Sequence, residues 1–121
     1  KEVSFLNAGH NCPPVMIKGN GEIREIRVSG MPVCNFMEKT EHQLVKVPVE
    51  TGDRIILYTD GLPEARNADK EYFETKRILE AIKKNIHTDG KDLANIIINE
   101  VETFAKKPIP DDIAIVVAKI I

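Results

Sequence analysis

The stretch Thr51–Gly61, with the sequence TGDRIILYTDG, decides the fold of this chain. Its first three residues, Thr-Gly-Asp, are typical of a turn, and the mostly apolar run over 54–59 predicts a buried strand. Asp60 follows this strand directly and precedes Gly61. We therefore expect a carboxylate at the mouth of the strand, beside a glycine that lets a ligand approach the backbone.

The residues before this stretch have the pattern of short strands. The segment Gly19-Asn20-Gly21 separates two of them and predicts a hairpin, because these residues tolerate positive φ. A loop is predicted from Gly30 to about His42. The predicted strands span 3–8, 15–18, 23–28 and 45–49.

After Gly61 the apolar residues recur with the period of a helix. The first predicted helix carries its apolar face on Tyr72, Leu79, Ile82 and Ile86. The second is capped by Thr88 or Asp89 and carries Leu93, Ile97, Val101 and Phe104. The nearly unbroken apolar run 113–121 predicts a last strand in the middle of a sheet. The order predicts one α+β domain over 1–121 with antiparallel strands, two helices and a final central strand.

Composition excludes several classes of protein. The 17 Lys and Arg against 19 Asp and Glu give a net charge of −2, which does not indicate a protein that binds nucleic acid or an anionic membrane. We see neither an apolar run of the ~18–20 residues that cross a bilayer nor a signal peptide, and we predict a cytoplasmic location. Cys12 and Cys34 match no zinc module; we expect reduced thiols that act as small apolar fillers.

A second acidic position precedes the last predicted strand. Asp111 and Asp112 lead into an apolar run, where acids are costly unless something neutralises them. If this strand runs antiparallel beside the strand that ends at Asp60, then Asp60 and Asp111 converge at one end of the sheet. Such hard oxygen ligands suit Mg²⁺ or Mn²⁺ and not zinc. In the alternative interpretation, Asp60-Gly61 is an ordinary turn and Asp111 is a loop acid.

A series of short motifs carries a resemblance to a known family. In chain order they are Asn7-Ala8-Gly9-His10-Asn11, Gly30-Met31-Pro32, Thr51–Gly61, Glu64-Ala65-Arg66-Asn67 and Asp111-Asp112-Ile113. Together they resemble the C-terminal part of the SpoIIE/RsbU-type serine phosphatases, the bacterial branch of the PPM (type 2C) metal-dependent phosphatases. The resemblance covers nearly the whole chain and implies a β-sandwich flanked by helices.

The resemblance also implies a site. Asp60 and Asp111 would coordinate one metal ion of a pair of Mn²⁺ or Mg²⁺ ions, Gly61 would pack closely beside it, and Asp112 would tune it. A water bound to the ions would attack a phosphoserine or phosphothreonine in line, without a protein nucleophile. For His10 the family motif favours a structural role in its turn over general acid catalysis.

The glycine-rich acidic motif of the family's first half is absent from these 121 residues. The chain is therefore interpreted as a partial phosphatase domain without its N-terminal half, expected to be inactive alone and to pair as a homodimer through exposed strand edges. By resemblance, the parent protein would act on a phosphorylated anti-sigma-factor antagonist. The alternative is a non-catalytic module that binds a partner protein through its helices or the Gly30–His42 loop.

Overall fold

Strand β5, formed by the decisive stretch, lies in a four-stranded antiparallel sheet. The computed structural model describes residues 1–35, 41–106 and 113–121. In chain order its elements are β1 (Glu2–Leu6), β2 (Val15–Ile17), β3 (Ile23–Glu25), β4 (Leu44–Pro48), β5 (Arg54–Tyr58), α1 (Glu74–Lys84), α2 (Gly90–Ala105) and β6 (Ile115–Lys119).

Two sheets and two helices form three layers. The larger sheet has the strand order β3-β2-β5-β6, and β1 pairs with β4 in a two-stranded sheet. Successive side chains of a strand point to opposite faces, so the larger sheet carries two cores. Ile56 packs on the side of the helices, whereas Ile55 packs toward the β1–β4 sheet. The predicted α+β class, with antiparallel strands and two helices, is confirmed.

Helix α2 buries three of its four predicted apolar residues, whereas of the four predicted for α1 only Ile82 is fully buried, together with Ile78 and Ala81. In α2 the buried residues are Leu93, Ile97, Val101 and Ala105, and Asp89 is its N-cap residue. Helix α1 is shorter than predicted, since Tyr72 precedes its first residue and Ile86 follows its last. Tyr72 belongs instead to a loop in which Arg66 stacks on its ring. No helix within the described ranges is long and apolar enough to cross a membrane.

The predicted hairpin is confirmed, and its register pairs Ile17 with Ile23. The predicted central position of the last strand is wrong within the described residues, where β6 pairs with β5 alone and lies at the edge of its sheet. An apolar run shows that both faces of a strand are apolar, but it cannot show whether a second strand pairs with it. The prediction that both cysteines are buried holds for Cys12 and fails for Cys34, which is exposed.

Candidate metal centre at the end of strand β5

The ends of β5 and β6 are tied together beside Asp60. The ladder pairs Tyr58 with Ile115. Beyond it, the Thr59 amide donates to the Ala114 carbonyl at 3.1 Å, and the Ala114 amide donates to the Thr59 hydroxyl at 3.0 Å. The start of the last strand therefore lies beside the end of the strand that leads to Asp60, as the sequence predicts.

Asp60 presents its carboxylate to solvent. The residue is exposed, whereas Gly61 directly after it is buried. The Asn11 side-chain amide donates to Asp60 Oδ2 at a long 3.4 Å, and the Asp60 carbonyl accepts the Glu64 amide at 3.0 Å in the following turn. The backbone at Asp60 is thus fixed by a turn, while most of the carboxylate's acceptor capacity is available.

Asn11 belongs to a loop that is itself held rigidly. The Asn7 Oδ1 atom accepts the amides of Gly9 and His10 at 3.0 and 2.7 Å, which closes an Asx turn. The Asn7 side-chain amide donates to the Val28 carbonyl at 2.9 Å. The His10 Nε2 atom lies 3.0 Å from the Tyr58 carbonyl oxygen, a backbone contact of the kind that a structural role requires.

A close backbone contact explains a second motif. A Cβ atom on Gly30 would lie 1.5 Å from the carbonyl oxygen of Asn7, so no larger residue fits there. The Asn7–Asn11 and Gly30–Pro32 motifs, separate in sequence, therefore pack against each other next to the end of β5. Sequence reasoning identified both motifs but not this contact.

Asp60 and Glu64 are two acids that act on the Cys12 thiol. Burial raises the pKa of the Cys12 thiol, and the negative charges of Asp60 and Glu64 raise it further. Within residues 1–35, 41–106 and 113–121, neither Asp60 nor Glu64 forms an ion pair. An acidic site without a compensating cation is chemically suited to a bound cation.

Asp111 and Asp112 lie outside the described residues, so their convergence with Asp60 stays a prediction. In the described part of the chain, no group of three or more His, Cys, Asp or Glu side chains could hold a metal ion. The hard oxygen of Asp60 fits Mg²⁺ or Mn²⁺ in kind, but it supplies one carboxylate where such ions take about six ligands.

Sequence reasoning missed the contact between Asn11 and Asp60. Asn11 contacts Asp60 across the sheet end, and no spacing rule joins residues that far apart in sequence. The loop after Glu64 is closed by Asn67, whose side chain donates to Glu71 at 2.8 Å and accepts the Glu71 amide at 2.9 Å.

Comparison with known families settles the ancestry of the chain. The family model described as Stage II sporulation protein E (SpoIIE) matches residues 1–121. The chain belongs to the SpoIIE family. Among curated relatives, protein IcfG of Synechocystis sp. is 31% identical over 83 residues, which is 69% of this chain. Stage II sporulation protein E of Bacillus subtilis is 25% identical over 117 residues, or 96% of the chain.

Solved structures agree in fold. This SpoIIE-family chain matches the phosphatase domain of B. subtilis SpoIIE with a TM-score of 0.71 and 21% identity, over 98% of this chain and 50% of that one. It matches the RsbU and RsbW domains of Rv1364c from Mycobacterium tuberculosis with a TM-score of 0.70 and 19% identity, over 98% of this chain and 32% of that one. The chain spans 13% of each of the two curated relatives. The fold is that of the PP2C phosphatase domains.

Proposed function

We propose that this chain is the C-terminal part of a metal-dependent protein phosphatase that hydrolyses phosphoserine on a regulatory protein. The observation that carries the proposal is the exposed Asp60 carboxylate, which has no ion-pair partner among the described residues, at the end of β5 and beside the start of β6. It stands in a chain that matches the SpoIIE family model from end to end. The family match favours a metal ligand over an ordinary turn acid.

Each residue of the proposed centre has a role that its position supports. Asp60 and Asp111 would hold the ion, and Asn11 would orient the Asp60 carboxylate by donating to Oδ2. Gly61 would pack closely beside the ion, and Asp112 would tune the site. Mn²⁺ or Mg²⁺, when bound, would activate water and neutralise charge on the phosphoryl oxygens.

The missing ligands belong, in this proposal, to an N-terminal half of the domain that precedes Lys1 in a longer parent protein. Two observations support this. The chain covers half of the solved SpoIIE phosphatase domain, and the described residues offer no complete set of metal ligands. Because an ion with too few ligands binds weakly, the chain alone would be inactive.

The substrate we propose is a phosphorylated anti-sigma-factor antagonist in the cytoplasm. This finer assignment rests on the resemblance to the RsbU type of phosphatase. It is supported by membership of the SpoIIE family and by a net charge of −2, which favours neither nucleic acid nor an anionic membrane as a partner.

The decisive experiment compares Mn²⁺-dependent hydrolysis of an aryl phosphate by this chain and by the parent protein. We expect activity in the parent protein alone, and a loss of at least about a thousandfold in Asp60→Asn and Asp111→Asn, because a metal ligand supports several kcal/mol of transition-state stabilisation. Asp92→Asn, which changes an exposed acid in the first turn of α2, serves as the matched control and should retain full activity. No activity and no Mn²⁺ binding in the parent protein would favour the protein-binding module.

We further propose that the chain in isolation pairs through its exposed strand edge. Strand β6 lies at the edge of the described sheet, and Val116 on it is 53% exposed opposite Leu57, which is 39% exposed. An apolar edge of this kind promotes strand pairing. Sedimentation velocity should show dimers of the isolated chain, weakened about tenfold by Val116→Lys. A monomer at high concentration would contradict this.

A further inference from the structure

Arg66 lies six residues after Asp60, in a small closed loop. Its backbone bridges to Tyr72, its guanidinium stacks over the Tyr72 ring at 4.4 Å from the centroid, and it donates to the Tyr72 hydroxyl. Inside the loop, the Asn67 amide donates to the Glu71 carbonyl at 3.1 Å, and the Lys70 amide donates to the Asn67 carbonyl at 3.1 Å. The loop therefore holds an exposed arginine in a defined orientation.

The chain between Asp60 and Arg66 is folded into consecutive turns. The Glu64 amide donates to the Asp60 carbonyl at 3.0 Å, and the Ala65 amide donates to the Leu62 carbonyl at 3.3 Å. The Ala65 carbonyl then accepts the Phe73 amide at 2.8 Å, which anchors the base of the loop to the start of α1. Arg66 is thus joined to Asp60 by a short connection that is held in turns by backbone hydrogen bonds.

Arg66 does not neutralise the acids beside it. Asp60 and Glu64 both act on Cys12, so they share one acidic neighbourhood. Yet across the described ranges Arg66 forms no ion pair, and Tyr72 is the partner of its side-chain hydrogen bond. The aromatic stack holds the cation in place, and most of its five N–H donors remain available to an incoming group.

We propose that Arg66 binds an oxyanion at or directly beside the phosphorylated residue of the protein substrate and so helps to select that substrate. This inference rests on the proposed phosphatase function. A guanidinium matches carboxylate and phosphoryl oxygens with paired hydrogen bonds. Because stacking on Tyr72 already orders the side chain, little conformational entropy is lost when the substrate binds.

The oxyanion has two possible sources, the phosphoryl group itself and an acidic side chain that flanks it. Three substrates of the parent protein separate them: an aryl phosphate, a phosphoserine peptide with neutral flanks and the same peptide with acidic flanks. The test variant is Arg66→Ala. The matched control is Arg77→Ala, which removes another arginine stacked on an aromatic ring, Phe104 at 4.7 Å, on the outer face of the helices.

We expect Arg66→Ala to raise KM for the acidic peptide about tenfold with kcat changed less than about twofold, as for the loss of one charge-assisted hydrogen bond. An effect on that peptide alone identifies a flanking carboxylate, and an equal effect on all three substrates identifies the phosphoryl group. If Arg66→Ala and Arg77→Ala behave alike with every substrate, the inference is wrong.

A binding measurement separates this inference from the proposed function. Fluorescence anisotropy of the labelled acidic phosphopeptide, in metal-free buffer with the Asp60→Asn parent protein, needs no catalysis. Arg66→Ala should weaken binding about tenfold and leave the unfolding midpoint unchanged. Arg66-dependent binding without Mn²⁺-dependent hydrolysis by the wild type would overturn the phosphatase function alone. Hydrolysis with binding that is indifferent to Arg66 would overturn this inference alone.

Discussion

Two aspartates flank strand β5, and the structure treats them in opposite ways. Asp53 precedes the strand, is 1% exposed and contacts Lys18. Its Oδ1 atom accepts the Gly19 amide at 2.9 Å and its Oδ2 atom accepts the Glu50 amide at 2.9 Å. Asp60 follows the strand, is exposed and has one long side-chain contact.

The difference separates a structural carboxylate from one available to a ligand. Asp53 joins the β2–β3 hairpin, the β4–β5 turn and, through its carbonyl, the Ile120 amide at 2.8 Å. Burial acts to raise the pKa of Asp53, but hydrogen bonds from Lys18 and from the Glu50 and Gly19 amides hold it below its ordinary value. Its acceptor capacity is used inside the protein, whereas among the described residues that of Asp60 is used only by the long Asn11 contact.

The strongest way to break this comparison is Asp53→Ala. Removing the carboxylate leaves the Lys18 ammonium partly buried without its partner and two backbone amides unsatisfied. We expect the free energy of unfolding to fall by about 3 kcal/mol. Urea denaturation followed by circular dichroism measures it. A loss below about 1 kcal/mol would show that water replaces these contacts, and the structural role would be wrong.

Lowering the pH should reduce the free energy of unfolding of the wild type by part of the same amount. The Asp53 carboxyl has its ordinary pKa of 3.8 in the unfolded chain and a lower pKa in the folded protein. The stability that its ionised form contributes is therefore complete above pH 3.8 and is lost as the pH falls through the folded pKa. Between about pH 5 and pH 2, the wild type should lose stability more steeply than Asp53→Asn. Equal slopes for the two proteins would argue against a lowered pKa at Asp53.

The turn before β5 predicts a smaller effect. Gly52 has a φ of +96°, and a Cβ there would meet nothing within 4 Å, so Gly52→Ala probes backbone conformation alone. We expect a loss of about 1 kcal/mol. Gly19→Ala is the matched control, because that glycine is not in the positive-φ region and its Cβ would make an ordinary contact at 3.9 Å. If Gly52→Ala and Gly19→Ala unfold at the same urea concentration, a side chain at position 52 does not strain the turn before β5, and the prediction is wrong.

Asp60→Asn should have the smallest effect on stability, below about 0.5 kcal/mol, because the side chain is exposed and unpaired in the described structure. The same urea titration measures this change beside Asp53→Ala. A large destabilisation by Asp60→Asn would erase the contrast between the two aspartates and return Asp60 to the role of a turn residue.

Local patterns in the sequence predicted most of the elements. The apolar run of β5, the glycines of the hairpin and the Leu93-Ile97-Val101 stripe of α2 each reflect a short-range rule, and each is present in the structure. The first residue of α1 was harder to predict, because Tyr72 has the spacing of a helix residue but stacks with Arg66 in the loop that precedes α1. A helical spacing does not exclude a competing contact.

The sequence by itself determined the α+β class, the antiparallel hairpin and the position of Asp60 directly after a buried strand, because these follow from residue period and turn chemistry. Tertiary structure decided what lies beside each residue. Among the described residues it placed β6 at an edge, brought Asn11 to Asp60, and joined Asp53 to Lys18, Gly19, Glu50 and Ile120. The physical reason is range: a pattern specifies which face of an element is apolar, whereas partners distant in sequence are chosen by how the whole chain packs.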